Sequence, residues 1–334
     1  MKVSVVMTTY NGEKYIYEQI KSIYKQTQSP DEVIICDDCS SDSTVTIVKE
    51  FIVKHSLNNW MLFVNKENKG WQKNFIEAMG KSTGDVIFLC DQDDIWLDDK
   101  IEHMVNAMKC NDQIKCLAGN IITIDDSGQV FNNKHGYAQS CNTNIITKIP
   151  FNKKFNTITI LGCSLCLTRE IAEIIRDLDV KNFSHDAQTC RLANLLDGTY
   201  LIDRPVIKYR IHSNNTSGVS ANVGFGSTSL EKRISTINGN IQWLKALLKY
   251  YQSNKSLPDY KLRVISKTRE MQEKRYDFLT SRSLAKYIGL IKYKNYYSDF
   301  SMLIGDFAYC YGINKMAGTF LWALKTQLKM VKGK

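Results

Sequence analysis

The sequence predicts an α/β fold on a doubly wound, mostly parallel sheet with a C-terminal helical extension, and two patterns carry that expectation. Short apolar runs alternate with segments of helical periodicity over the first 124 residues, in the order β-α-β-α-β-α-β-α-β. Three of those apolar runs end in polar clusters: Thr8-Thr9-Tyr10-Asn11, Asp37-Asp38 and Asp91-Gln92-Asp93. In parallel sheets the ligand crevice lies at the carboxyl ends of the strands, so the three clusters are expected on one rim.

Element by element, residues 2–8 (KVSVVMT) are β-rich and apolar until Asn11-Gly12 breaks the run. Ile16, Ile20, Ile23 and Tyr24 then recur at helical spacing over 13–26, and Pro30 stops that pattern. A buried strand is expected at 32–37 (EVIICD), followed by a helix over 43–55 capped by Ser41 or Asp42. A strand at 61–64 and a helix at 71–80 come next, then the apolar strand 85–90 (DVIFLC) that runs into the acidic cluster. A helix near 98–109 and a strand near 116–124 complete the alternation. Residues 125–156 suggest a hairpin or loop region, with Asp125-Asp126-Ser127-Gly128 as turn chemistry. Further on, the pattern suggests a strand at 158–167, a helix near 169–178, another opening at Ser184-His185-Asp186, and strands at 199–202 and 206–210. The Gly/Ser/Asn-rich stretch 213–229 suggests a mobile loop, and 230–252, 260–283 and 300–330 are helical in pattern.

Composition sets the class. The 334 residues are 43% hydrophobic and 23% charged, which excludes a globally disordered chain. The first apolar run is too short for a signal peptide, and no stretch of about 18 apolar residues exists to span a bilayer. A cytoplasmic location is therefore expected, where ten cysteines stay reduced. The pairs Cys36/Cys39 and Cys163/Cys166 lack a second pair or a histidine at zinc spacing, so buried small hydrophobes are expected. The net charge of +10 is uneven: residues 225–334 hold 20 Lys/Arg against 7 Asp/Glu. That balance points to a domain over 1–224 and a basic tail over 225–334 for a membrane surface or for oligomerisation, including a homodimer. No recognised nucleic-acid module is present, so no nucleic-acid partner is expected.

The rim chemistry is acidic. No G-x-G-x-x-G follows the first strand and no phosphate-binding G-x-x-x-x-G-K-[ST] occurs, which excludes a dinucleotide cofactor site and a P-loop. A phosphate ligand beside carboxylates needs a divalent cation between them, and oxygen-rich sites favour Mn²⁺ or Mg²⁺. Asp91 and Asp93, two residues apart in extended chain, can address one ligand from one face. Asp93 and Asp94 also suit the start of a helix.

Five separated segments, VVMTTYNGEKYIYEQIKSIYKQT, VIICDDCSSDST, NKGWQKNF, GDVIFLCDQDDIW and the later SHD with YRIHSNN, resemble the inverting family-two glycosyltransferases of GT-A fold. Among these the text is most similar to bacterial rhamnosyltransferase-like enzymes of surface polysaccharide synthesis, such as O-antigen or capsule. The resemblance covers roughly residues 1–216 and leaves the tail uncovered.

The resemblance implies roles position by position. Thr8 and Tyr10 would lie against the nucleobase and Asp38 would accept its N–H. Gly70, Lys73 and Asn74 would flank the sugar diphosphate, although Lys73 fits a plain surface lysine equally well. Asp91 would hold the ribose and Asp93 the metal, with His212 completing the metal or diphosphate site. Asp186 would be the catalytic base, and the same residue also suits a helix N-cap. Arg210 is expected at the leaving diphosphate. Trp71, Trp96 and the segment at Gly162 are candidates for the acceptor wall, with core packing the preferred alternative for Trp96. Cys39 stands where the family usually has glycine. The implied activity is transfer of a sugar from a nucleotide-diphosphate donor, dTDP-rhamnose or a UDP-hexose, to a lipid-linked glycan at the inner membrane surface. A non-catalytic sugar-nucleotide-binding subunit is the alternative, and the presence of Asp186 argues against it. A nucleotidyltransferase would need a glycine-rich cradle that Thr8-Thr9-Tyr10-Asn11-Gly12 does not offer.

Overall fold

The computed structural model describes residues 1–131, 142–181, 183–213, 215, 229–253 and 257–313. It is a mixed α/β structure with a mostly parallel central sheet flanked by helices and with further helices toward the C-terminus. The chain divides into two compact units, one of residues 1–151 and 158–215 and one of residues 152–157 and 216–334.

The first unit is built on strands β1 (Val3–Thr9), β2 (Glu32–Asp37), β3 (Trp60–Val64), β4 (Val86–Cys90), β5 (Ile95–Trp96), β6 (Cys116–Ile124), β7 (Ile146–Lys148), β8 (Leu165–Thr168) and β9 (Thr199–Arg210). They form one sheet in the order β3-β2-β1-β4-β8-β6-β9-β5, with β7 beside β9. The pairs β1/β2, β1/β4, β2/β3 and β6/β9 are parallel. Every residue of β1, β2 and β4 is buried. This explains why those strands are continuous apolar runs rather than alternating ones: helices cover both faces. Helix α1 (Ile16–Tyr24) turns Ile16, Ile20 and Ile23 inward, as the spacing predicts, while Tyr24 of the same pattern lies exposed. Helices α2 (Thr44–Lys54), α3 (Trp71–Lys81), α4 (Lys100–Cys110), α5 (Arg169–Leu178) and α6 (His185–Leu195) complete this unit.

Some boundaries differ from the sequence pattern for local reasons. Helix α2 begins at Thr44 with Ser43 in the cap position, because the Asp42 carboxylate accepts from the Thr44 amide and hydroxyl and from the Glu13 amide just outside the helix. The apolar run 158–167 yields only the short β8, preceded by a 3₁₀ turn (Gly162–Ser164). Strand β8 lies antiparallel between β4 and β6, interrupting the parallel order. The two strands expected at 199–202 and 206–210 are one, with Pro205 absorbed at an irregular step in the β6/β9 register. Most of the loop expected at 213–229, and residues 314–330 of the last expected helix, lie outside the described residues.

The second unit holds α7 (Leu230–Ser253), α8 (Asp259–Ser281), α9 (Leu284–Leu290) and α10 (Phe300–Cys310), with a 3₁₀ turn over Ile291–Tyr296. Ile237, Ile241, Met271, Phe278, Leu290, Tyr293 and Leu303 form its core. Among the described residues no helix is long and apolar enough to cross a membrane.

Candidate functional site

Strand register brings the three polar clusters to one edge of the sheet. Thr9 at the end of β1 pairs with Asp37 at the end of β2, and Met7 pairs with Cys90 at the end of β4. Thr8 is buried opposite Cys36, while Tyr10 reaches out exposed. The Gln92 side chain accepts from the Tyr10 amide (2.8 Å) and donates to its carbonyl (3.0 Å), locking the β1 loop to the acidic run. Gly12 allows this clamp, since a Cβ there would lie 2.3 Å from Gln92 Oε1.

The Asp37-Asp38-Cys39-Ser40 turn closes on itself. Asp37 accepts from Thr9 Oγ1 (2.7 Å) and from the Ser40 amide (2.8 Å) and hydroxyl (2.5 Å). Cys39 has φ +67°, the left-handed conformation that glycine adopts freely and a residue with a Cβ adopts at a cost of roughly 1–2 kcal/mol. The position thus takes a glycine-like conformation despite the cysteine. Cys39→Gly relieves that cost against the greater chain entropy of glycine, so a net gain of about 0.5–1 kcal/mol is expected. Thermal or denaturant unfolding reads it, and an unchanged or lowered midpoint would show the turn to be unstrained.

Asp38 is buried, and its carboxylate accepts from Asn65 Nδ2 (3.0 Å), the Lys69 amide (2.9 Å) and the Gly70 amide (2.9 Å). Gly70, at φ +82°, precedes α3 and delivers that amide. Buried Asn74 donates to the Cys36 carbonyl (2.8 Å) and accepts from Asn65 (3.0 Å). Asp38, Gly70 and Asn74 therefore form one hydrogen-bonded layer beneath the rim. Lys73 stands apart, exposed on α3 and 3.8 Å from Glu77.

The acidic run carries the strongest electrostatics. Asp93 Oδ2 lies 2.9 Å from His212 Nε2, so two residues 119 apart in sequence meet at the rim. Asp94 is buried and accepts from the Arg210 amide (2.9 Å), with the Cys163 thiol as its other polar neighbour. Burial, and then the Asp93 charge, push the Asp94 carboxyl up to about 8. Asp91 is raised well above the usual carboxylate range by burial, then by Asp93, Asp94 and Asp186. Asp91, Asp94 and Cys163 place one donor atom each within 4.8 Å of one another. Burial raises the Cys163 thiol as it does the two carboxyls, and the Asp93–His212 pair adjoins this group through the acidic run. Clustered carboxyls that raise one another's pKa are a donor set that a hard divalent cation satisfies.

Arg210 is placed differently from the expectation. Only 1% exposed, its guanidinium donates to the carbonyls of Asp93 (2.8 Å) and Asp126 (3.1 Å) and to Glu18 (2.5 Å), and it stacks on Tyr15 at 4.7 Å. It is a strut under the acidic loop rather than a free cation facing a diphosphate.

Asp186 sits in the first turn of α6, but the cap is Ser184, whose hydroxyl accepts from the Ala187 amide and donates to Asp186 Oδ1 at 2.5 Å. The capping alternative for Asp186 is thereby replaced. A Cβ on Gly162 would stand 3.1 Å from His185 Nε2 and 3.4 Å from Asp186 Cγ, so the bare Gly162 backbone abuts the carboxylate. His185 is buried, stacked on Phe75 at 4.0 Å and edge-on to Trp71 at 5.6 Å, and burial lowers its pKa against the pull of Asp186. Trp71 itself is exposed, whereas Trp96 is core. Sequence reasoning missed Lys100, fully buried, which donates to the Cys163 carbonyl at 2.6 Å and lies 3.7 Å over the Trp96 ring. Its position in an otherwise ordinary amphipathic helix gave no signal.

Comparison with known proteins gives the family and the fold. Residues 4–174 match the model of glycosyl transferase family 2. The chain is 31% identical over 234 residues to dTDP-rhamnosyl transferase RfbG of Shigella flexneri, covering 66% of this chain and 75% of that one. Over 128 residues it is 35% identical to the UDP-Glc:alpha-D-GlcNAc-diphosphoundecaprenol beta-1,3-glucosyltransferase WfgD of Escherichia coli, covering 38% and 49%. In fold it is similar to Staphylococcus aureus TarS 1-349 in complex with UDP-GlcNAc, with TM-score 0.59 at 19% identity over 87% of this chain and 79% of that one. It is similar too to the mannosyltransferase PcManGT of Pyrobaculum calidifontis in complex with GDP-Man and Mn²⁺, with TM-score 0.50 at 16% identity over 98% and 80%. With a family model spanning just over half of its length and a relative 31% identical over 234 residues, the chain belongs to glycosyl transferase family 2 and is a glycosyltransferase of GT-A-like fold.

Proposed function

We propose that the protein transfers rhamnose, with inversion, from dTDP-rhamnose to a hydroxyl of a lipid-linked oligosaccharide at the cytoplasmic face of the membrane. A UDP-hexose is the alternative donor. The observation that carries the reading is the Asp186 carboxylate held against the bare backbone of Gly162, close enough to the acidic run to raise Asp91.

In this reading Thr8, Tyr10 and the Asp38 layer hold the nucleotide, and Asp91 holds its ribose. Asp186 takes the proton of the acceptor hydroxyl as that oxygen bonds to the anomeric carbon. The bond from that carbon to the phosphate oxygen breaks, and its electron pair leaves with the nucleoside diphosphate. Asp93 and His212 would hold Mn²⁺ or Mg²⁺, with Asp94 and Asp91 beside them. When bound, such a cation neutralises the departing diphosphate. Arg210 keeps the Asp93 loop in place from below. Trp71 and the Gly162 segment border the space an acceptor sugar would enter. A catalytically silent subunit would have no use for Asp186 in this position.

The test is nucleotide release from a panel of sugar nucleotides, with and without Mn²⁺ or Mg²⁺, in the presence of a membrane lipid extract. Release from dTDP-rhamnose that needs the metal and rises with the extract is the expected result. Release from a UDP-hexose alone would move the donor assignment. Binding of donors without release under every condition would overturn the transferase reading.

A further inference from the structure

Helix α9 is apolar on two sides, and among the described residues the second unit packs against only one of them. Tyr287, Leu290 and Tyr293 face the core of that unit. Leu284 and Ile288, four residues apart, share the other face, and Ile291, the cap residue that opens the 3₁₀ turn, continues it three residues on. They are 55%, 59% and 46% exposed, and a Cβ on neighbouring Gly289 would meet nothing within 4 Å. A contiguous aliphatic stripe in water marks an interaction surface. Its charge says which kind. Residues 284–296 carry Lys286, Lys292 and Lys294, all exposed, and no acidic residue.

From this we infer that the outer face of α9 docks the enzyme on an anionic bilayer, with the helix in the plane of the interface. Lys is depleted at protein–protein interfaces, whereas a Leu/Ile stripe followed at once by Lys292 and Lys294 in the 3₁₀ turn suits an interfacial segment. The three aliphatic side chains enter the headgroup boundary while Lys292 and Lys294 lay their stems along it and keep their ammonium groups at lipid phosphates, with Lys286 adding charge from the far side of the helix. The inference rests on the proposed membrane location and assigns it to one face. Each lysine contributes on the order of a fivefold change in partition, and removal of the stripe at least about a hundredfold.

The test is vesicle flotation of the full chain without donor or acceptor. Vesicles of equal parts phosphatidylglycerol and phosphatidylcholine are compared with phosphatidylcholine alone. The unaltered chain should float with the anionic vesicles. The variant L284S/I288S/I291S should stay in the lower fraction, with its melting temperature and donor binding unchanged because these side chains already face solvent. K286E/K292E/K294E should lose anionic binding as well. An unaltered chain that does not float, or a serine variant that floats as well as its parent, overturns the assignment. Conversion of a dimer to a monomer by the serine variant, without loss of flotation, makes the face a contact between two copies and overturns it too. Failure of the transferase reading would appear in nucleotide release to a water-soluble acceptor and would leave flotation untouched.

Discussion

Asp186→Asn should lower kcat by about 10²–10⁴-fold while leaving the affinity for the nucleotide sugar near that of the unaltered enzyme. The substitution keeps the size of the side chain and an oxygen that accepts from Ser184 Oγ, and removes only the ability to take a proton. Fold should be preserved for a specific reason: the N-terminus of α6 is capped by Ser184, not by Asp186. Loss of the carboxylate therefore leaves the Ala187 amide bonded as before. Steady-state transfer, donor titration and thermal unfolding together decide the matter. A fall in kcat with unchanged donor affinity and melting temperature identifies the base. Turnover within a few-fold of the original would place the base elsewhere, and a parallel collapse of melting temperature would show that the carboxylate mainly serves the helix. Ser184→Ala is the control that separates these. It should cost roughly 0.5–2 kcal/mol of stability through the lost cap.

How far the sequence foretold this site depends on whether a residue's neighbours lie nearby in the chain. The rim was legible because apolar runs such as VSVVMTT and VIFLC end abruptly in polar residues, and parallel register then aligns their ends whatever lies between. The meeting of Asp93 with His212 came from motif resemblance, since nothing local in either segment marks the other. Arg210 shows the limit. A guanidinium suits phosphate oxygens and backbone carbonyls alike, and the choice was made by the Asp125-Asp126 turn, more than 80 residues away, which supplies acceptors that burial forces it to use. The buried Lys100 was hidden for the same reason, since its partner is the carbonyl of Cys163 on a distant turn.

The fold shows a parallel distinction. Helix α1 follows its isoleucine spacing, but β8 is four residues long and buried for most of its length, so its sequence LCLT encodes neither a face nor a direction. Its antiparallel placement between β4 and β6 is set by the chain's path on either side. Helix α9 escaped notice because apolar residues on two faces blur the 3.6-residue period that signals an amphipathic helix. The feature that makes it invisible to periodicity is the one that leaves a face to dock.

Asp306→Asn should destabilise the second unit by about 3–5 kcal/mol, the cost expected when one partner of a buried ion pair is removed. Asp306 on α10 is fully buried and compensates two cations at once. Arg275 of α8 donates to Oδ2 at 2.7 Å and Oδ1 at 2.9 Å, and Arg233 of α7 donates to Oδ1 at 2.8 Å. Tyr297 adds its hydroxyl at 3.3 Å, and its ring lies 5.0 Å from the Arg275 guanidinium. The asparagine would leave the buried Arg275 guanidinium, and the partly exposed Arg233 beside it, without their counter-charge. Burial alone would raise the Asp306 carboxyl, but Arg275 and then Arg233 outweigh it and hold it below its ordinary value. The sign of the pH dependence follows. A carboxyl whose pKa is lower folded than unfolded contributes its full stability above about pH 4 and loses it as pH falls through the folded value. The gap in unfolding free energy between parent and variant should therefore be widest near neutral pH and narrow below about pH 4, as the parent's own carboxylate becomes protonated. Denaturant unfolding at a series of pH values measures it. A gap that is constant down to strongly acid pH would mean that the variant fails through packing rather than through the lost charge.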